Sequence, residues 1–405
     1  MSRQAVETRC RPDTPASQAQ LRRCDGVVCF GGEDWWYHNR GHYDMQMMRR
    51  FAGRVPTLYV NSIGMRTPRV GEGRMFLRRV TRKLRSLGRG LAREAAPGMA
   101  VYSPLAAPGG TGGRLSRRLL AAQVGRAARR VGVRRPLLWV ACPPGVEVLE
   151  QLRPQAVVYQ RTDRYEAFTG VDPVRIAAFD RRLKRRADLT LFCSRALFEA
   201  EANDCRRAAY VEHGVDYDRF ARAGAGEEGE PADMADLPRP RVGFIGGIDA
   251  HTFDPELFRK VAASVPEATF VLVGACSLPE GWLEGLDNVV ALGQKPYEAV
   301  AACMAACDVL IMPWNRSEWI QACNPVKLKE YLAVGRPIVS TPFRELEAYG
   351  QLVRVAQDAA GFVQQVREAL ADDAFDPEPG RAFVRSRTWD AQFEQTLALL
   401  REAGV

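Results

Sequence analysis

No apolar run in this chain approaches the ~18 residues that a membrane-crossing helix needs, so the sequence offers no transmembrane segment. The first residues, MSRQAVETRCRPDTPASQAQLRRCDG, have no apolar stretch behind their charges. They read as a disordered lead-in, residues 1–23, and not as a secretory signal. The ten cysteines, scattered from Cys10 to Cys323, lack the dense, even spacing of a secreted scaffold, so free thiols of a cytosolic protein are expected. Cys303 and Cys307 fall i,i+4 on an expected helix, but no histidine or second cysteine pair stands beside them. Burial is expected there, not a metal. Acids are almost missing from one segment: between Arg66 and Arg135, 18 Lys or Arg face only Glu72 and Glu94. That segment carries +16, while the whole chain carries +9.

What is present is globular. Apolar residues make up 46% of 405, and a chain of that length exceeds one core of ordinary size, so two domains are expected. Short β-rich runs alternate with helical patterns, which favours parallel sheets covered by helices. In the first half, strands are expected at Gly26–Phe30, Thr57–Asn61, Leu137–Ala141, Ala156–Gln160, Leu189–Cys193 and Ala209–Glu212. Helices are expected at Tyr43–Arg50, Phe76–Arg93, Leu115–Val131, Pro173–Arg186 and Ala196–Cys205. The Gly-, Pro- and acid-rich stretch 221–239 then reads as a linker between a domain at 24–220 and one at 240–384. After it, strands at Arg241–Gly247, Ala268–Gly274, Asn288–Gly293, Asp308–Trp314 and Arg336–Thr341 alternate with helices at Pro255–Ser264, Tyr297–Ala306, Val326–Ala333 and Ala359–Leu370. Two such units place the carboxyl ends of both sheets around one cleft, where open α/β sheets bind ligands.

The most informative stretch is NPVKLKEYLAVGRPIVSTP, Asn324–Pro342. A loop ends at Pro325, a helix begins, and Lys327 and Glu330 share one of its faces. The helix tip and Lys327 suit a diphosphate. A carboxylate one turn further in suits the two hydroxyls of a ribose. Gly335 ends the helix and Pro337 opens the next strand.

This stretch resembles the donor-binding signature of GT-B glycosyltransferases, in particular the retaining group 1, or family 4, enzymes. Other segments fit in the same order: KRRADLTLFCSRAL, the hinge-like EHGVDYDRF, NVVALGQKPYEAVAACMAACDVLIMPW, and RTWDAQFEQTLALL, which looks like the last helix (385–405) crossing back to the first domain. The resemblance covers roughly Cys24 to Leu400. It implies that Glu330 binds ribose, that Lys327, Asn324 and Pro325 line the diphosphate, and that Gly246 and Gly247 pack on the phosphates. Asp254 either caps the following helix or touches the ligand. Two positions depart from the family: Ala322 stands where a second glutamate is common, and IDAH, with His251, replaces a basic pair.

In the first domain, FGGEDWWYHNRGH leaves the first strand toward the cleft. Gly31 and Gly32 permit close approach of a ligand, and Asp34, His38, Arg40 and His42 suit orienting hydroxyls or moving protons. The competing reading is a hydrated loop with Trp35 and Trp36 packed down. Arg161 and Asp163 leave another strand; they are acceptor ligands or a structural ion pair, with Asp163 joining Asp34 and His38 as proton-transfer candidates. His213, before the hinge glycine, either lines the cleft or bonds locally.

The basic segment carries Leu77, Val80, Leu84, Leu87 and Leu91 at 3,4,3,4 spacing, with Arg78, Arg79, Arg82 and Lys83 between them. That is the composition of a helix lying in an anionic lipid interface; an ordinary core helix is the alternative. Nucleic acid is disfavoured, since no base-reading motif or aromatic interleaving accompanies the arginines. The resulting expectation is a sugar transfer from a nucleotide-sugar to a lipid-linked or cell-envelope acceptor, with retention, at the inner face of a membrane and without an obligatory metal or cofactor. An epimerase of the same fold and a catalytically silent sugar-nucleotide or polysaccharide binder are the alternatives.

Overall fold

Eight strands form the first sheet of this computed structural model, which describes residues 21, 23–36, 41–65, 81, 85, 93–105 and 113–405. They are β1 (Gly26–Phe30), β2 (Thr57–Val60), β3 (Arg93–Ala96), β4 (Met99–Tyr102), β5 (Pro136–Val140), β6 (Ala156–Arg161), β7 (Leu189–Phe192) and β8 (Ala208–Tyr210). Their order is β3-β4-β2-β1-β5-β6-β7-β8. All pairs are parallel except β3 with β4. Runs such as Val27–Phe30 and Leu137–Val140 are buried throughout because helices cover both faces. One face is filled by Met45, Met48 and Phe51, the other by Leu120, Val124, Phe179 and Leu183.

The second sheet is wholly parallel: β9 (Arg241–Ile245), β10 (Thr269–Val273), β11 (Val289–Gly293), β12 (Val309–Met312), β13 (Ile338–Ser340) and β14 (Arg354–Val355), in the order β11-β10-β9-β12-β13-β14. In each sheet the first strand, β1 or β9, lies where the strand order reverses. Each of these two strands ends in a Gly-Gly turn, Gly31-Gly32 or Gly246-Gly247. Loops leaving the carboxyl ends there converge on the crevice of a doubly wound sheet.

Two expectations are corrected. The helix expected to reach Arg93 cannot, because Arg93 opens β3; most of that stretch, with Arg78, Arg79, Arg82 and Lys83, lies outside the described residues. The stretch 221–239 is not a bare linker. The helix Tyr217–Gly224 runs into it, Ala223 and Met234 enter the second core, and Glu230 pairs with Arg239 and Arg241. Finally, the chain adds a hairpin, β3–β4, around Pro97-Gly98, where a Cβ on Gly98 would strike the Ala52 carbonyl.

The two halves are joined by more than the covalent chain. The helix Trp389–Glu402 lays Trp389, Phe393 and Leu397 into the first core, with Phe393 4.9 Å from Phe51. Beside the cleft, Asn324 of the second domain donates to the Cys193 carbonyl at 2.8 Å and accepts from Lys329 at 3.1 Å. Glu345 accepts from Tyr210 at 3.0 Å. Buried Lys329 pairs with Glu212 at 3.2 Å, and Glu212 in turn takes Arg387 at 3.0 Å.

Candidate functional site

The helix Val326–Val334 starts at the gap between the domains. Its N-cap, Pro325, supplies no side-chain acceptor and its first turn holds no acid, so the tip is left electropositive. Lys327 projects from that first turn toward the end of β9. Its Nζ lies 4.3 Å over the Phe244 ring and 5.8 Å over Trp314. A Cβ on Gly246 would overlap that ammonium, and a Cβ on Gly274 would overlap the Gly246 carbonyl. Gly246 therefore makes room for the lysine head, and Gly274 makes room for the Gly246 backbone beside it. Burial pushes the Lys327 ammonium down to about 8, while Glu330 pulls the other way. No ion pair or hydrogen bond engages its Nζ among the described residues.

Glu330 follows one turn later on the same face and is buried. Its carboxylate accepts from the Tyr297 hydroxyl at 3.4 Å. Burial pushes its carboxyl up to about 7, opposed by Lys327. Tyr297 also meets the first domain: a Cβ on Gly41 would lie 3.5 Å from its ring. The loop after β1 and the donor-side carboxylate thus share a neighbour.

Asp163, just past the end of β6, lies within the electrostatic reach of His42 of that loop and of Cys323 of the second domain. Burial pushes its carboxyl up to about 6, against the pull of Arg161 and His42. Further along, His251 packs 4.9 Å from Trp319 and 6.1 Å from Phe168, so one aromatic cluster bridges the cleft. Arg164 reaches across the same cleft to Glu318 at 3.3 Å.

Several expected ligands serve the scaffold instead. Asn324 is buried, and its side-chain amide is taken up by Cys193, Tyr210, Glu345 and Lys329. Arg161 is fully buried under the Pro173–Arg186 helix, pairing with Glu166 at 3.0 Å, Glu201 at 3.1 Å and Asp180 at 3.3 Å. It is the structural member of its pair and no acceptor ligand. Asp254 caps its helix by accepting from Leu257 N at 2.9 Å. Gly31 is required because Tyr59 occupies the place of a Cβ, while Gly32 stays open and donates to Asp44 at 2.9 Å. Asp34 accepts from Trp36 N at 3.0 Å, and Trp35 is packed down. His213 stands 5.5 Å from Tyr43 and 6.0 Å from Trp389. Burial pushes its imidazole down to about 3, helped by Lys329 and His42, so it is neutral. Pro325 is buried at the helix start, and Gly247 is exposed beside Gly246. His38 and Arg40 lie outside the described residues. Cys303 and Cys307 are both buried, with the Cys307 thiol donating to the Cys303 carbonyl at 3.4 Å.

Sequence reasoning missed Tyr297, Trp319, Phe168 and the Lys329–Glu212–Arg387 chain. Lys329 was the findable one: it stands two residues from Lys327, hence on another face of the same helix, and a lysine there needs its own acid. A cavity of about 750 Å³ lined by Arg54, Pro56, Gly98 and Arg130 lies at the amino ends of β2 and β4, away from the cleft.

Residues 239–372 match the family model described as Glycosyl transferases group 1. A curated relative, the putative teichuronic acid biosynthesis glycosyltransferase TuaH of Bacillus subtilis, is 29% identical over 286 residues, covering 64% of this chain and 70% of its own. Among solved structures, sucrose-phosphate synthase from Thermosynechococcus elongatus superposes with a TM-score of 0.68 at 18% identity, over 93% of this chain and 98% of that one. Anabaena HepE in complex with UDP-glucose superposes with a TM-score of 0.66 at 14% identity, over 94% and 100%.

Proposed function

We propose, from the premise that this chain is a glycosyltransferase of GT-B fold whose second domain is that of group 1, that it moves a sugar from a nucleoside diphosphate sugar to an acceptor presented at an anionic membrane surface. The observation that carries the reading is the Lys327 head, unpaired among the described residues, set against the Gly246 turn at an uncapped helix tip with a buried carboxylate one turn on. An ammonium that makes no direct ion pair or hydrogen bond is costly to hold there unless a ligand supplies the partner. The diphosphate lies over Gly246-Gly247 against Lys327 and the first helix amides, and Glu330 takes the ribose hydroxyls.

The first domain takes the acceptor along the loop after β1 and the end of β6. Asp163, with its carboxyl pushed up to about 6, accepts the proton of the attacking hydroxyl, and His42 stands beside it. Charge growing on the departing diphosphate is met by Lys327 and the helix tip, both in place before reaction. Retention, which the group 1 resemblance implies, requires the acceptor hydroxyl to attack on the face from which the diphosphate departs. A lipid-linked or cell-envelope glycan is the acceptor, in keeping with the relative named for teichuronic acid synthesis, and the enzyme works peripherally at the inner face of the membrane. Among the described residues no helix is long and apolar enough to cross one.

Incubation with candidate nucleotide-sugars and an extract of membrane lipids tests the reading. Nucleoside diphosphate release that depends on the extract is expected. Isomerisation of the sugar without release, or tight binding with neither, would overturn it.

A further inference from the structure

We infer that the first turns of the helix Arg114–Arg130, together with Leu105 and Val174, form the face by which this protein docks on an anionic bilayer; this rests on the proposed membrane-presented acceptor and adds where the membrane lies. The helix RLSRRLLAAQVGRAARR holds six arginines and no acid. Its buried side, Leu120, Val124, Ala127 and Ala128, seals the sheet. Directly opposite, at 100° per residue, Leu115 and Leu119 point outward and are 71% and 56% exposed. A leucine stripe on the solvent side of a surface helix inverts the usual pattern.

The start of this helix breaks the electrostatic rules as well. Its N-cap, Gly113, makes no side-chain cap, and its first turns hold Arg114, Arg117 and Arg118 with no acid among them. Cations at the positive end of a helix dipole destabilise it. Local rules are broken together in this way where a ligand repays the cost. A surface offering negative charge outside and hydrocarbon beneath satisfies both halves at once.

Further exposed apolar side chains lie on the same edge of the sheet. Leu105, 68% exposed, is tied to the same helix, its N–H donating to Gln123 Oε1 at 3.1 Å and its carbonyl accepting from Gln123 Nε2 at 3.0 Å. Gln123 stands one turn beyond Leu119 on the same helix, so Leu105 is anchored beside the exposed leucine stripe. Val174, 77% exposed, opens the adjacent helix Pro173–Arg186. Half-buried Glu147 sits between the two helix starts, 3.6 Å from Arg175 and within the field of Arg117. Both helices follow strands of a parallel sheet, so both begin at its carboxyl edge, the edge that forms the cleft. A bilayer seated on this rim delivers an acceptor head to Asp163 and His42 without lifting its tail from the lipid.

A Leu119→Trp variant reports the contact directly. Mixed with vesicles containing phosphatidylglycerol, the new indole is expected to shift its emission to the blue and to be quenched by brominated acyl chains; phosphatidylcholine vesicles should produce neither change. Replacing Arg114 and Arg118 by Gln should weaken partitioning roughly fivefold for each arginine removed. Leu115→Ser with Leu119→Ser should weaken it about tenfold or more. The melting temperature should stay unchanged, since both leucines are exposed. If the protein sediments with the anionic vesicles but the indole stays in water, this face is wrong and membrane presentation stands. If the full chain does not sediment with them at all, both fail.

Discussion

Glu330 is held where it costs the fold stability. A carboxyl raised from 4.5 to about 7 binds its proton more tightly folded than unfolded, so stability falls as pH rises from about 4.5 to 7, and the loss above pH 7 amounts to about 3 kcal/mol. Glu330→Gln should therefore raise the melting temperature at pH 8 and leave it nearly unchanged at pH 4, as differential scanning fluorimetry would show. Lys327 has the opposite proton arithmetic. Its pKa is lowered from 10.5 to about 8, so its contribution improves as pH rises from 8 to 10.5. Together they set a window for a diphosphate nucleoside: Glu330 must be ionised and Lys327 protonated. Affinity should peak between about pH 7 and pH 8 and fall on both sides, and calorimetry in buffers of different ionisation enthalpy should register proton exchange. Unchanged affinity from pH 6 to pH 9 would detach these two residues from the ligand.

At the scale of elements, the signature helix and the glycine turns act as one part. Gly246→Ala drives a Cβ into the Lys327 head, the end of a movable side chain, so it should weaken nucleotide binding much as Lys327→Ala does. Gly274→Ala meets the Gly246 backbone instead and should lower the melting temperature more. The helix that carries Lys327 and Glu330, and most of the strands of both domains, were legible because they rest on local periodicity and on runs buried on both faces. What escaped was whatever local spacing leaves open. Asn324 turned into the domain boundary and Arg161 under a helix, since the side chain at the end of a strand or loop is aimed by partners distant in sequence, here Cys193, Glu201 and Asp180. The hairpin β3–β4 was hidden for another reason: four-residue strands at an edge carry too short a pattern. Tyr297 touches Glu330 across 33 positions, and nothing in its own neighbourhood announces it.

At the scale of the molecule, the halves are held by a buried polar chain, Arg387–Glu212–Lys329–Asn324–Cys193, that passes between them. Asn324→Ala would strand a buried ammonium hydrogen and a buried carbonyl, a loss of roughly 1–3 kcal/mol. It should lower the unfolding midpoint while leaving nucleotide affinity within about threefold of the parent. The proposed membrane role belongs to the same scale: reversing Arg78, Arg79, Arg82 and Lys83 to Glu should weaken binding to anionic vesicles, measured by co-sedimentation.

The relation of ligand to helix tip is tested most directly by titrating nucleoside diphosphates calorimetrically into the parent protein, Lys327→Ala and Glu330→Ala, each shown to be folded by circular dichroism. A nucleoside diphosphate should bind the parent. Lys327→Ala should lose roughly 10- to 100-fold, the worth of one charge-assisted hydrogen bond, and Glu330→Ala should abolish measurable binding. Equal affinity in all three would place the nucleotide elsewhere and contradict the site.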